Sequence, residues 1–263
     1  MKRIKQVILF SVFIYLPYAS MAWGMLGHRI VGEIADSYLT PKARLAVKQI
    51  LGNESIAMAS NWADFIKSEP SYNYLSSWHY INFKDGLSEA DFKSYLAADS
   101  ITDAYTKINF IVAQLKNKQT KQEQKIMYLR LLIHIVGDVH QPMHVSREED
   151  QGGNKIYVQW FNQKSNLHSV WDAALIDDQK LSYTEYSKAI NFTTPAQRME
   201  WQKQPIANWL YDSYTIAQKL YKEITQPEQK LSYRYSYDHI QIANDQLLKG
   251  GVHLAGLLNE IFG

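Results

Sequence analysis

The sequence of 263 residues contains no cysteine, so no disulfide bond can stabilise its fold. Stability must therefore come from core packing or from bound metal ions. The chain also lacks an excess of positive charge, because 28 basic residues are set against 26 acidic ones. It therefore has no bulk basic field of the kind that dominates non-specific binding to duplex nucleic acid. Any affinity for an anionic substrate must come from a local site.

The first 22 residues have the pattern of a secretory signal peptide. Three basic residues precede an apolar run at 7–16, and Ser20 and Ala22 form a small-x-small cleavage site. This run is too short to span a membrane, which needs about 20 apolar residues, and no later stretch is long and uncharged enough. Cleavage after Ala22 is predicted to expose Trp23 and to leave 25 basic against 26 acidic residues. We expect a secreted or periplasmic protein with one domain over 23–263 and no stable membrane association after cleavage.

Apolar residues recur at helical spacing through most of the chain, which predicts a mainly α, single-domain multi-helix bundle. Residues 116–124 are predicted as a polar connector, and the alternation at 155–161 indicates a short strand or one β-hairpin. Asp99 or Ser100 is the predicted N-cap of the helix expected over 101–115. Helices are predicted from His28, over 41–51, 87–97, 101–115, 125–141 (up to Pro142) and 195–224, and over 237–261 with an interruption at Gly250 and Gly251.

Two histidine–aspartate pairs lie close together in the second half of the sequence. His134 and Asp138 are four residues apart, as are His168 and Asp172, so each pair lies on one face of a helix. His144 stands between the pairs. A single such pair is usually a surface hydrogen bond or a weak ion pair. Both pairs here lie among apolar residues, where a buried carboxylate requires a cationic partner, and imidazole with carboxylate is a ligand set that suits zinc.

Further candidate ligands precede these pairs. His28 begins the first helical pattern, Asp64 lies in N-W-A-D one turn before Lys67, and His79 lies in W-H-Y-I-N. Taken alone, Asp64 is equally well explained as a carboxylate at a helix N-terminus, and His79 as a packed, hydrogen-bonded side chain. The remaining histidines belong to no such pair, and the last two of them are predicted to be structural: His140, His239 and His253.

The order of these motifs resembles that of a known family. It runs W-x-x-x-G-H from Trp23, N-W-A-D, W-H-Y-I, H-x-x-x-D followed by Q-P-M-H, G-G-N, and N-L-H-S-x-W-D ending at Asp172. The chain thus resembles the zinc-dependent single-strand nucleases of fungi, plants and bacteria, the S1/P1 nuclease family. The fold of that family resembles that of the bacterial zinc-dependent phospholipases C, and a monomer of this type is expected.

The resemblance implies a cluster of three zinc ions. Open coordination positions, which catalytic zinc requires, follow from such a cluster. The ligands carried over by the resemblance are Asp64, His79 and His134 for one ion, with Asp138 bridging to another; His144, His168 and Asp172 for the second; and the α-amino group and carbonyl of Trp23 with His28 and Asp138 for the third.

The resemblance also implies the reaction, which is hydrolysis of single-stranded DNA and RNA to 5′-mononucleotides by a metal-activated hydroxide, with 3′-nucleotides as further substrates. Single strands are preferred because the base must leave the stack to enter a pocket. Catalytic roles are implied for Asp64, Lys67 and Asn154, and substrate contacts for Lys67, Tyr80, Asn82, Gln151 and Asn154.

Two of these positions depart from the family pattern. Better-known members tend to have aspartate where this chain has Asn82, and asparagine offers a donor as well as an acceptor. Gln151 stands where fungal members often have an apolar residue. Both differences leave the base preference open.

Two other functions are compatible with the same ligands. A phospholipase C would use the same metal cage on a choline-type head group, but the carboxylate of its second zinc is typically glutamate rather than the aspartate found at Asp172. A non-catalytic zinc-binding protein would have no use for Lys67, Tyr80 or Asn154.

Overall fold

The computed structural model describes residues 23–263, and the predicted signal peptide lies outside them. Most of the described chain is helical, which confirms the prediction of a mainly α, single-domain fold. The α-helices are α1 (Met25–Ser37), α2 (Pro41–Leu51), α3 (Ile56–Ala59), α4 (Trp62–Phe65), α5 (Glu89–Ala98), α6 (Ala104–Lys116), α7 (Gln122–Asp138), α8 (Leu167–Ser169), α9 (Leu175–Asp177), α10 (Tyr183–Ile190), α11 (Pro195–Gln202), α12 (Ile206–Glu223) and α13 (Tyr233–Phe262).

Segments of 3₁₀-helix, one π-helical turn and short strands lie between these α-helices. The 3₁₀ segments are Ile66–Ser68, Pro70–His79 and Pro142–His144, and a π-helical turn at Val170–Ala174 joins α8 to α9. The strands are β1 (Ile81–Phe83), β2 (Val145–Arg147), β3 (Tyr157–Trp160), β4 (Gln163–Asn166) and β5 (Gln229–Leu231).

The predicted hairpin is confirmed, and it is formed by β3 and β4. These strands pair in antiparallel register, and the two residues between them, Phe161 and Asn162, have φ values of 47° and 65°. Positive φ at both positions is the geometry of a two-residue hairpin turn whose twist matches that of the strands. The third strand of this sheet, β5, pairs with β3 in parallel.

A second, two-stranded sheet brings distant parts of the sequence together. Strands β1 and β2 are parallel, with Ile81 opposite Val145 and Asn82 opposite Ser146. His79 precedes the first strand by two residues, and His144 immediately precedes the second. The pairing therefore places the W-H-Y-I motif beside the Q-P-M-H motif.

Helix α2 has the predicted bounds, with the Thr40 side chain accepting a hydrogen bond from the Ala43 N–H. Other helix boundaries differ from the predictions. Helix α7 begins and ends three residues earlier than predicted, so the connector before it is shorter. The prediction that Asp99 or Ser100 caps α6 is wrong, because Asp103 forms a capping box with Thr106.

The prediction of one long helix over 195–224 is wrong. Helix α11 ends at Gln202 and α12 begins at Ile206, with Pro205 as its N-cap residue. Proline lacks an N–H and disfavours helical geometry in the residue before it. The Gln204-Pro205 sequence therefore divides the segment into two helices.

The predicted interruption at Gly250 and Gly251 is also wrong, because α13 continues through both. A Cβ atom added at Gly251 would lie 2.4 Å from Cγ2 of Ile34 on α1, and one at Gly250 would contact His140 and Val31. The two glycines therefore allow α1 and α13 to pack closely, although glycine disfavours the interior of a helix.

The core surrounds α7, whose residues 131–138 are all buried. A helix that is apolar on all sides is expected to lie inside the molecule, and α7 packs against α1, α6 and α13. Within the described residues, no helix combines the length and apolar character needed to span a bilayer.

Candidate metal centre

The C-terminal half of α7 holds the centre of a buried cluster of histidines and aspartates. His134 and Asp138 lie one turn apart and are fully buried, and their side chains approach to 3.3 Å. His79 Nδ1 lies 3.0 Å from the Asp138 carboxylate and 3.0 Å from His134 Nε2. The alternative in which the His134–Asp138 pair is a surface contact is thereby excluded.

Two further side chains complete this cluster from the N-terminal part of the chain. His28 of α1 lies with Nε2 3.3 Å from Asp138 Oδ1, and its ring stacks on that of His134 with centroids 3.9 Å apart. Asp64 of α4 lies with Oδ1 3.7 Å from His134 Nε2. Two sets of potential ligand atoms therefore overlap at His134: His28 with Asp64 and His134, and His79 with His134 and Asp138.

A separate set comprises His144, His168 and Asp172. The Asp172 carboxylate lies 3.0 Å from His168 Nε2 and 3.5 Å from His144 Nε2. His168 and Asp172 flank the start of the π-helical turn, a local widening of the helix that occurs frequently at functional sites. This grouping matches the ligand set implied for the second ion.

Backbone carbonyls orient three of these histidines. The Nδ1 atoms of His134, His144 and His168 lie 2.6, 2.7 and 2.6 Å from the carbonyl oxygens of Ser60, His79 and Gly152. A carbonyl only accepts hydrogen bonds, so each Nδ1 must carry the proton. Each Nε2 is then directed towards the neighbouring aspartate, so that a cation could bind between them. A carbonyl contact at the other ring nitrogen is typical of metal-binding histidines.

Electrostatics favours neutral histidines in the cluster around α7. Burial lowers the pKa values of His28 and His79 well below the ordinary histidine value, and the neighbouring His134 lowers both further. Burial likewise lowers the pKa of His134 to about 4, against the opposing effect of Asp64. Burial raises the pKa of Asp138 well above the usual range, and the Asp64 charge adds to this effect. A cation between them would favour the charged carboxylate.

In the separate set the pKa values of His168 and Asp172 shift in the opposite directions, because the two side chains form an ion pair. Burial alone would lower the pKa of His168, but the Asp172 carboxylate raises it above the ordinary value. Burial would raise the pKa of Asp172, but the two neighbouring histidines, His168 first, lower it below the ordinary value. The carboxylate is therefore held in its charged, ligand-competent form.

Several polar atoms of the site are buried and have no hydrogen-bond partner among residues 23–263. They are both ring nitrogens of His28, Nε2 of His79 and His144, Oδ2 of Asp64 and Oδ1 of Asp138. Buried polar groups are normally satisfied, since each unpaired one costs about 1–3 kcal/mol. Nitrogen and carboxylate oxygen atoms at these separations fit divalent cations, which would satisfy the unpaired atoms together.

Trp23, the remaining predicted ligand, lies beside the site. Its side chain is fully buried, and the next residue, Gly24, donates an N–H hydrogen bond of 2.5 Å to the carbonyl oxygen of Asp172. The first described residues are therefore held against the helix that supplies ligands to the separate set.

An open cavity of about 380 Å³, here called the Tyr80 cavity, lies over the metal-binding groups. Tyr80 is 40% exposed in it, which leaves the aromatic ring available for stacking. All five residues predicted to contact substrate line this cavity. Its lining comprises Lys67, Ser76, Tyr80, Asn82, Met143, Gln151, Gly152 and Asn154, together with His79, His144 and His168.

Comparison of the sequence with known protein families gives a match to the S1/P1 nuclease family over residues 23–263. The chain belongs to the S1/P1 nuclease family. Endonuclease 2 of Arabidopsis thaliana is 30% identical over 291 aligned positions, which cover 98% of this chain and 97% of that protein. Nuclease P1 of Penicillium citrinum is 30% identical, with 92% and 98% covered. Endonuclease 3 of A. thaliana is 29% identical, with 97% and 94% covered. The chain is therefore a nuclease, and its three His/Asp groups are sites that could hold metal ions.

The histidines outside the metal groups of this nuclease have structural partners. His140 Nε2 lies 2.7 Å from His253 Nδ1, and Trp209 stacks on His253 with ring centroids 4.4 Å apart. His239, which has no carboxylate partner in its own sequence motif, lies 2.7 Å from Glu223. These contacts join the turn after α7 to α13, and α12 to α13, and they agree with the structural role predicted for His239 and His253.

Sequence reasoning missed the polar residues that support the ligands. Asp150 accepts hydrogen bonds from the Tyr221 hydroxyl at 2.9 Å and from the Gly153 N–H at 2.6 Å, and so fixes the G-G-N turn. Gly152 in this turn has a φ of 64°, and a Cβ there would meet the Met143 carbonyl oxygen at 2.4 Å. Tyr221 lies 71 residues from Asp150 along the chain, so no local pattern could indicate the contact.

Gln141 is a second supporting residue. Its side-chain amide donates a hydrogen bond to Oδ1 of Asp172, and its carbonyl oxygen accepts one of 2.5 Å from the Met143 N–H. The side chain thereby connects the Q-P-M-H turn to a ligand of the separate set. Its place in that motif was the signal that could have identified it.

Replacing Gln141 by leucine is expected to weaken metal binding at the separate set by about 10–100-fold, the usual effect of removing a hydrogen bond to a metal ligand. Zinc titration against a competing chelator measures this affinity. Gln246→Leu is the matched control, because Gln246 is an equally buried glutamine that bonds His140 O and Ser213 Oγ instead. Equal affinity losses in both variants would remove Gln141 from the support of the metal site.

Proposed function

We propose that this nuclease is an exported, zinc-dependent enzyme that hydrolyses single-stranded DNA and RNA to 5′-mononucleotides and also removes phosphate from 3′-nucleotides. One observation carries the proposal: a cavity lined by His79, His144 and His168 of the histidine–aspartate groups also presents a cation, an aromatic ring and three side-chain amides. These are the components needed to hold a phosphodiester beside a nucleobase.

The donor set supports zinc. The groups offer imidazole nitrogen and carboxylate oxygen only, since the chain has no cysteine. We assign one ion to Asp64, His79 and His134 with Asp138, one to His144, His168 and Asp172, and one to His28 and Asp138 with the amine of Trp23. Zinc in such sites supplies Lewis-acid stabilisation of the phosphoryl charge and lowers the pKa of the attacking water.

Lys67 and Asp64 are the protein groups that act at the phosphate. Lys67 Nζ lies 2.5 Å from Asp64 Oδ1, and its side chain reaches the Tyr80 cavity with 28% of its surface exposed. The ammonium group would neutralise charge that develops on the phosphate oxygens in the transition state. The Asp64 carboxylate would orient the attacking water and accept its proton.

Tyr80, Asn82, Gln151 and Asn154 are placed to select the substrate. The tyrosine ring would stack on a nucleobase, which is available only when the base has left a duplex. Asn82 would both donate to and accept from the edge of the base, so it tolerates more than one base. The Asn154 amide, which donates to the Gln151 carbonyl at 2.8 Å, would present its oxygen to the cavity.

Export is part of the proposal because it would create one of the ligands. Only cleavage after Ala22 gives Trp23 a free α-amino group. Its support is the signal-like pattern of residues 1–22, the burial of Trp23 beside Asp172, and the start of the family match at residue 23.

Replacing Lys67 by alanine is expected to lower kcat/KM for single-stranded DNA by about 10²-fold or more, because one charge-stabilising donor is lost. Zinc content is expected to remain unchanged, since Lys67 is not a ligand. Lys93→Ala, which removes a surface lysine paired with Glu89, is the control for loss of charge alone. Undiminished hydrolysis by Lys67→Ala would exclude Lys67 from the mechanism.

A panel of substrates tests the function as a whole. The zinc-loaded mature protein is expected to hydrolyse single-stranded DNA, RNA and 3′-AMP, to release 5′-mononucleotides from the polymers, and to leave a phosphatidylcholine analogue intact. Duplex DNA should be cleaved more slowly than either single strand. Hydrolysis of the lipid alone would contradict the proposal and favour a phospholipase C, and loaded zinc without any hydrolysis would favour a binding protein.

A further inference from the structure

A second concave surface is lined by Asp64, whose side chain bonds Lys67 of the Tyr80 cavity. This surface, here called the Phe65 groove, encloses about 410 Å³ and is formed by Met25, Arg29, Met58, Trp62, Asp64 and Phe65, with Glu54 and Asn61 at its edge. Phe65 is 78% exposed, Met25 54% and Met58 47%. Large apolar side chains gathered around an exposed concavity indicate a binding surface rather than packing.

The Phe65 groove carries an uncompensated positive charge. Among the described residues Arg29 forms no ion pair, and its Nε atom is buried without a hydrogen-bond partner. The two acidic residues that line the groove already have cationic partners, since Glu54 pairs with Arg130 at 2.8 Å and Asp64 with Lys67 at 2.5 Å. A ligand that brings an anionic oxygen would therefore satisfy the guanidinium group, which matches phosphate particularly well.

The groove is continuous with the metal centre. Asp64 lines the Phe65 groove, and it bonds Lys67, which lines the Tyr80 cavity. Trp62, Asp64 and Phe65 all belong to the short helix α4, so the aromatic surface and the metal-binding carboxylate are held by one element. The two aromatic recesses are thus linked through the Asp64–Lys67 pair that would act at the phosphate.

We propose that the Phe65 groove binds the nucleotide that lies beyond the scissile phosphate from the base in the Tyr80 cavity. Two aromatic recesses separated by phosphate-binding groups match the base–phosphate–base pattern of a nucleic acid strand. Phe65 would stack on the second base, and Arg29 would bind the next phosphate along the strand. This inference rests on the proposed nuclease and 3′-nucleotidase activities of the same centre.

Two matched substrates test the inference. The dinucleoside monophosphate ApA and 3′-AMP share the nucleoside for the Tyr80 cavity and the phosphate, but only ApA has a second nucleoside to enter the groove. Phe65→Ala is expected to lower the ratio of kcat/KM for ApA to kcat/KM for 3′-AMP by about tenfold, the scale of one lost base stack. Phe65→Trp is expected to restore the ratio.

Phe192→Ala is the matched control, because Phe192 is 76% exposed and lies away from the metal groups. It should leave the ratio unchanged. An unchanged ratio in Phe65→Ala would overturn the inference, whether both kcat/KM values stay at the wild-type level or fall equally. An equal fall would show an effect on the metal centre itself. Failure of the wild-type protein to hydrolyse either substrate would instead overturn the proposed function, and the role of the groove with it.

Discussion

Replacing Asp138 by asparagine is expected to lower hydrolysis of single-stranded DNA by at least about 10³-fold, since several kcal/mol of metal-dependent stabilisation would be lost. Asp138 is fully buried at the centre of the cluster, 3.0 Å from His79 and 3.3 Å from both His28 and His134. Asparagine keeps the shape of the side chain but removes the charge that two metal ions are proposed to share. Steady-state kinetics and metal analysis on one sample measure the effect.

The same substitution at a surface aspartate provides the control. Asp36 pairs with Arg44 at 2.6 Å with about half of both side chains exposed, so Asp36→Asn should retain full activity and metal content. The Asp138→Asn variant should keep the helical circular dichroism of the wild-type protein while losing metal. Retention of wild-type activity and metal content by Asp138→Asn would contradict the assignment of this carboxylate as a bridging ligand.

Removal of metal by a chelator is expected to abolish hydrolysis and to lower the melting temperature by at least about 8 °C. A ligand that binds only the folded state at about 1,000 times its Kd contributes about 4 kcal/mol, and each kcal/mol shifts the melting temperature by about 2–4 °C in a domain of this size. Bound metal is expected to stabilise the fold because Asp138 and the rings of His28 and His79 are buried without full hydrogen bonding among the described residues. Calorimetry of the two forms measures the shift.

The control for this experiment is the same chelator already saturated with zinc, which should change neither activity nor melting temperature. Addition of zinc to the stripped protein should restore both. A stripped protein that melts at the original temperature and still cleaves single-stranded DNA would show that the buried histidines and aspartates are structural.

The helices and the ligand pairs could be predicted from the sequence because their signals are local. His134 with Asp138, and His168 with Asp172, show the four-residue spacing of one helix face, and Thr40 with Pro41 marks a helix start. Their assembly could not be read from spacing. His79 meets His134 across 55 residues of sequence, and only its place in a recognised motif indicated that it belongs to the site.

The wrong predictions have two kinds of cause, long-range packing and local capping signals that were overlooked. Gly250 and Gly251 look like a helix break until α1 is seen to pack on them, and the close approach of Ile34 explains why side chains are absent there. Asp103 replaces the predicted caps because its partner Thr106 completes a reciprocal hydrogen-bonded turn. The Phe65 groove exists only because α1, α3 and α4 meet, so no spacing in the sequence indicates it.

The three histidine–aspartate groups are proposed to form a zinc centre that hydrolyses nucleic acid. The most direct test is elemental analysis of protein secreted with its own residues 1–22, combined with cleavage of single-stranded DNA by the same sample. We predict about three zinc ions per chain, in line with the three groups, an N-terminus at Trp23, and activity that rises in proportion to bound zinc. Full activity in protein that contains no zinc would contradict the account.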